Sequence, residues 1–204
     1  NTVDYWIVKT NSVGSKQWDK TFGGTSWDEF RSLEQTTDAG FILGGYSRSG
    51  ISGDKTQATW SSGIDDYWIV RIDSIGNKIW DKDFGGTSPE DGFGSVSQTE
   101  DSGFIIAGSS YSQISGDKTE NNLGQEQSWI IKTDSSGNKQ WDKTLRTNSG
   151  FNHDETGLAY QTQDGCYLMA NYTNAGIGGD KTQLSQGSYD YWIIKFCDTT
   201  FTTN

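Results

Sequence analysis

The chain of 204 residues has one proline, one histidine, one methionine and two cysteines. A single histidine rules out the His-Glu-x-x-His zinc motif, and neither the Gly-x-Ser-x-Gly elbow of serine hydrolases nor a Walker-type phosphate loop is present. Basic charge is also scarce. With 16 Lys and Arg against 27 Asp and Glu, the net charge is −11, and no basic run exists to grip phosphate. Nucleic acid is therefore not an expected partner, and neither is an anionic membrane surface. No apolar stretch reaches the length of a membrane span, so no membrane insertion is expected, and no signal peptide is visible. Helical periodicity is missing throughout. Hydrophobic residues make up only 31%, yet aromatics reach 13%, and that aromatic share excludes a disordered chain.

What is present is a sentence written several times. Residues 66–84 read DYWIVRIDSIGNKIWDKDF, residues 4–22 read DYWIVKTNSVGSKQWDKTF, and residues 128–145 read SWIIKTDSSGNKQWDKTL. Each is a run of aromatic and β-branched residues, then turn chemistry, then a polar–apolar alternation: a β-hairpin. The first half returns at 190–196 as DYWIIKF. Trp6, Trp68, Trp129 and Trp192 stand 62, 61 and 63 residues apart, and Gly-Asp-Lys-Thr occurs at 53–56, 116–119 and 179–182. Such recurrence predicts a shared structural unit. Each unit holds four strand-like runs, in the first complete case 31–36, 41–47, 67–73 and 78–84. Four antiparallel strands per roughly 60 residues predict an all-β fold of β-propeller blades. The 26 glycines suit an architecture of many tight turns.

Three segments carry a family resemblance: Trp18-Asp-Lys-Thr-Phe-Gly-Gly, Asp38-Ala-Gly-Phe-Ile-Leu-Gly-Gly-Tyr, and Asp66-Tyr-Trp-Ile-Val-Arg-Ile-Asp-Ser-Ile-Gly-Asn. Together they resemble the SBBP-type β-propeller repeat over nearly the whole chain. The resemblance implies a secreted or surface-attached bacterial protein of a Bacteroidetes-like lineage, and it says little about activity. The third unit departs from the pattern, with Thr144-Leu145-Arg146-Thr147 where the others have Phe-Gly-Gly. On this reading residues 1–204 are a single propeller region. Residues 1–24 are the last two strands of a blade, 28–86 and 90–147 are full blades, 153–198 are three strands of another, and 199–204 are a tail. Three blades do not close a ring. The chain is thus expected to be a mature or excised segment that belongs to a larger ring, or a homo-oligomer that completes one.

Several residues are candidates for chemistry. Asp54, Asp117 and Asp180 of the Gly-Asp-Lys-Thr loops are candidate ligand-binding residues, with Trp27 and Trp60, and suit Ca²⁺, the only cofactor suggested, through carboxylate and neighbouring oxygens. The alternative, favoured because each loop has one such acid, is that each caps its own turn. Asp73 and Asp134 precede Ser-x-Gly-Asn and read as hairpin turns. Trp6, Trp18, Trp68, Trp80, Trp129, Trp141 and Trp192 recur in strands as packing between blades. Trp27 and Trp60 do not recur, and both fall in loops, where an aromatic ring could stack on a sugar or simply cover a blade edge. Lys9, Arg71, Lys132 and Lys195 are expected to pair with Asp19, Asp81 or Asp142 of the following strand. His153, next to Asp154 and Glu155, could form a metal site or an acid–base pair, but with no counterpart in the other units and no second histidine it reads as a solvated loop residue. Cys166 begins one predicted strand and Cys197 ends the next. If those strands are antiparallel neighbours a disulfide fits, which would imply export; two unrelated small side chains are the alternative.

These observations favour a non-enzymatic extracellular or cell-surface binding or scaffold module that offers its loop face to a glycan or a protein. One alternative is a glycan hydrolase or lyase built on one propeller face from Asp28, Asp91 and Asp154. Another is a structural spacer in a longer adhesin.

Overall fold

The computed structural model describes residues 2–90, 92–150 and 153–198. Asp91 and the 199–204 tail therefore lie outside the described residues. Regular structure among the described residues is entirely β, with thirteen antiparallel strands in four sheets and no helix. The first sheet pairs β1 (Tyr5–Thr10) with β2 (Lys16–Phe22). The second has the order β3 (Asp28–Gln35), β4 (Phe41–Ser47), β5 (Asp66–Ile72) and β6 (Lys78–Phe84). The third repeats that order with β7 (Ser95–Gln98), β8 (Phe104–Ser110), β9 (Gln127–Thr133) and β10 (Lys139–Leu145). The fourth has β11 (Asp154–Gln161), β12 (Tyr167–Thr173) and β13 (Asp190–Phe196). Among the described residues no strand of the first sheet pairs with one of the last.

Local chemistry explains the hairpins. Asp73 Oδ1 accepts the backbone N–H groups of Ile75 and Asn77 at 2.9 and 2.8 Å, and Asp134 does the same for Ser136 and Asn138. Gly76 and Gly137 take the positive φ that closes each turn. These carboxylates are turn caps. The Arg71 and Lys132 partners differ from expectation: Arg71 grips Asp38 at 2.6 Å and Lys132 grips Asp101 at 2.8 Å. Lys195 likewise pairs with Asp164, and Lys9 donates to the Ser74 carbonyl. Register is the reason. Arg71 lies opposite Trp80, while Asp81 lies opposite Val70 on the other face of the sheet. Asp81 and Asp142 instead accept from Lys78 and Lys139 on their own strands.

The sheets stack face to face in chain order, and three apolar layers separate them. Tyr5, Ile7 and Phe22 of the first sheet meet Leu43, Trp68, Val70 and Ile72 of the second. Ile42, Tyr67, Ile69 and Phe84 on the second sheet's other face meet Phe104, Ile106, Trp129 and Ile131 of the third. Ile105, Ile130 and Leu145 then meet Ala159, Tyr167 and Met169 of the fourth. Each large side chain removed from water contributes roughly 1.5–3 kcal/mol, so the layers dominate the stability. Trp68 and Trp129 are buried as expected, but Trp6, at the same place in its hairpin, is 64% exposed because no sheet faces it. A disulfide joins Cys166 to Cys197, tying the start of β12 to the end of β13.

Candidate functional site

Antiparallel connection in sequence order sends the short turns to one end of the sheets. The long loops 48–65, 111–126 and 174–189 go to the other end, with the connections that leave β2, β6 and β10. The long-loop end is where the repeated polar residues gather. In each loop Gly-Asp-Lys-Thr forms a small bridged turn whose glycine takes a φ near +55° (55°, 56° and 55° at Gly53, Gly116 and Gly179), a conformation that a side chain disfavours.

The aspartate then does something the sequence did not suggest. Asp54 donates its N–H to the Gly23 carbonyl at 2.8 Å, and its carboxylate accepts the Gly23 N–H at 3.3 Å. Asp117 grips Gly85 in the same way, and Asp180 grips Arg146. All three clamp the connection from the preceding sheet; none caps its own turn. The same hold works on Arg146, although the Phe-Gly-Gly pattern is lost there, because only backbone atoms are used.

The lysine of each motif is buried. Lys55 forms an ion pair with Asp83, and Lys118 donates to Thr144 Oγ1. Burial pushes both lysines down to about 8, against the pull of Asp66 and Asp28 on Lys55 and of Glu90 and Asp142 on Lys118. The threonine finishes the loop: Thr56 gives its N–H and hydroxyl to Asp81, and Thr119 gives both to Asp142, all within 2.9 Å. Trp68 and Trp129 add their indole N–H groups to these two acids.

At the junctions between sheets the structure aligns Asp28, Glu90 and Asp154, so Glu90 holds the place that the sequence reading gave to Asp91. All three are fully buried. Asp28 accepts from Ser49 Oγ at 2.9 Å and from Ser47; Asp154 accepts from Thr147 at 2.8 Å and from Thr173. Burial pushes Glu90 up to about 8, and raises Asp154 to about 6 against the Thr173 and Thr147 hydroxyls that lower it. Nearby Asp66 rises to about 7, also through burial. Sealed in this way, Asp28 and Asp154 are closed to a substrate.

Trp27 and Trp60 stay at the surface of this end, 41% and 55% exposed. The Trp27 indole donates to Glu29 at 3.1 Å. Trp60 leans over Gly116 of the next loop and donates to Asp117 at 2.7 Å, so this ring and one clamp are brought together. Nothing comparable joins Trp27 to Asp54. Sequence reading overlooked a row of exposed isoleucines, Ile51, Ile114 and Ile177, each two residues before the motif glycine. Their constant offset from Gly-Asp-Lys-Thr was the available signal.

A second overlooked feature is a position that changes between loops. In the second sheet Arg48 forms a two-pronged ion pair with Asp65 at 2.8 and 2.9 Å. The matching place in the third holds Tyr111 and Glu126, and His153 joins them. Glu126 accepts from Ser109 at 2.5 Å and Tyr111 at 2.9 Å, and lies 2.6 Å from His153 Nδ1. His153 is thus tied into a partly buried polar network, contrary to the expected solvated loop residue. Tyr111 also lines a shallow hollow of about 480 Å³ with Ser88, Pro89, Gln113, Gly124 and Gln125.

Calcium finds a poor donor set here. The three loop aspartates stand on three separate loops, and each commits an oxygen to a backbone N–H. Among the described residues no group of three or more His, Cys, Asp or Glu side chains could hold a metal ion.

No protein-family model matches the chain, and no curated protein matches it. A similar solved structure is the crystal structure of a protein of unknown function from Bacteroides caccae, at 8% identity and a TM-score of 0.43. The similarity covers 79% of this chain, which spans less than half (44%) of that one.

Proposed function

We propose that the chain is a run of SBBP-type β-propeller blades serving as a non-enzymatic binding or scaffold module outside the cell or at its surface. Its long-loop end is the working face, and it receives a glycan or a protein. One observation carries this reading: the recurring carboxylates are spent inside the molecule, as clamps or sealed junctions, while the non-recurring rings Trp27 and Trp60 are displayed. Chemistry on a substrate needs open acids, whereas recognition needs presented, fixed surface. A tryptophan held by its indole N–H is a rigid, half-exposed apolar plate of the kind that stacks on sugar rings at low entropic cost. The Cys166–Cys197 disulfide supports an oxidising location, and the shortage of basic charge argues against nucleic acid.

The test is an oligosaccharide array probed with the wild-type chain and with Trp27→Ala and Trp60→Ala. A glycan hit whose affinity drops about tenfold or more in either variant is the expected result, equivalent to roughly 1.4 kcal/mol. A hit bound equally by all three proteins would remove the two rings from the reading.

A further inference from the structure

Two of the three apolar layers inside the molecule are built to one rule, and the third varies it. The face of each sheet that carries Tyr5 or Tyr67 is covered by the next sheet's face that carries Trp68 or Trp129. The Tyr5 and Trp68 rings meet at a tilt with centroids 4.8 Å apart, and those of Tyr67 and Trp129 at 5.4 Å. In the third layer the tyrosine position is Ser128, which accepts from Asn171 of the fourth sheet.

At the two ends the same faces are bare. On the first sheet Trp6, in the place of Trp68, is 64% exposed, and Val8, in the place of buried Val70, is exposed beside it. On the last sheet Tyr191, in the place of fully buried Tyr67, is 90% exposed. Its neighbours continue the match: Leu168, Tyr172 and Ile193 stand where Ile42, Tyr46 and Ile69 are buried in the second sheet. Leu158 and Tyr160 of β11 extend this patch across all three strands, and both are exposed. One molecule therefore presents both halves of a layer that it assembles twice internally, and a third time with serine in the tyrosine position. Neighbouring exposed apolar side chains on one sheet face mark a contact surface.

We infer that the Trp6 face of one copy of this chain docks on the Tyr191 face of a second copy, making a fourth layer of the internal kind. The contact is head-to-tail: two different surfaces meet, so each copy keeps one free face for the next, and repetition gives a closed ring or an open stack. This inference rests on side-chain packing and goes beyond the glycan- or protein-binding reading, which could fail without affecting it.

The experiment is solution mass by light scattering and sedimentation over a dilution series of the 204-residue chain, with Trp6→Lys and the double variant Tyr191→Ser/Ile193→Lys. All three positions are exposed, and serine already stands at the tyrosine position in the third sheet, so the variants retain their fold; near-ultraviolet circular dichroism and thermal melting check this. Wild type is expected to assemble and each variant alone to be monomeric. An equimolar mixture of the two variants has one intact face of each kind, and is expected to give a 1:1 dimer and nothing larger. A monomeric wild type at every concentration would overturn the inference. So would an assembly that survives either variant, or a mixture that stays monomeric; survival in one variant alone would mean like faces meeting.

Discussion

Within a single long loop two positions behave in opposite ways. Gly-Asp-Lys-Thr does the same work in all three loops: its aspartate holds the previous connection and its lysine fills a buried site. A few residues away, Arg48–Asp65 in one loop becomes Tyr111–Glu126–His153 in the next. The constant part is sealed and bonds mainly to backbone and to buried acids. The changing part is partly open to water. Structural chemistry is kept inside the loop and variation is displayed on it, so side chains at the changing position can differ without altering how the sheets stack.

The comparison predicts an order of costs. The largest falls on Lys55→Ala, which leaves Asp83 buried with its charge uncompensated; about 3–5 kcal/mol of stability should be lost in denaturant unfolding. A loss below about 1 kcal/mol would show that the sealed part is not what holds the sheets.

Next comes pH. Glu90, Asp66 and Asp154 have raised values of about 8, 7 and 6, so between the ordinary carboxylate range and those values the folded chain holds protons that the unfolded chain has released. The stability these three groups contribute is therefore present in full below about pH 4 and is lost as pH rises toward 8. Lys55 and Lys118, lowered to about 8, carry their full cost below that pH and regain stability between about 8 and 10.5. The minimum falls near pH 8. Glu90→Gln should raise stability there by on the order of 3 kcal/mol and flatten the acid side of the profile, as read from melting temperatures across pH. An unchanged profile would contradict the sealed-acid description.

The smallest effects come from a matched pair of substitutions. Asp54→Ala removes one clamp and should cost about 1–2 kcal/mol. Arg48→Ala breaks an ion pair whose arginine is half exposed and should cost at most about 1 kcal/mol. If Arg48→Ala proved the costlier of the two in unfolding experiments, the distinction between constant and changing positions would be lost.

Some of this was readable along the chain because its causes are local. Asp73, Gly76 and Asn77 make a turn from contacts within four residues, and the aromatic and β-branched run at 67–72 pairs with whatever the turn brings back. The role of Asp54 was not readable, since its partner Gly23 lies 31 residues away and offers only backbone. The pairing of Arg71 was missed because facing depends on register, and a single residue's difference moves a side chain to the opposite face. Glu90 was not singled out because its place opposite Ser110 and Ser112 depends on strands about twenty residues further on, which its neighbours in sequence do not reveal.

The sequence by itself determined the strands, their turns and the recurrence of both, because hydrogen bonding and side-chain alternation over a few residues suffice for these. Only the tertiary structure decided which copy of a residue is core and which is surface. Trp6, Trp68 and Trp129 share one local context, yet the first is open to water and the others are fully buried. The hydrophobic effect acts on what lies opposite a side chain, and that is set by the neighbouring sheet.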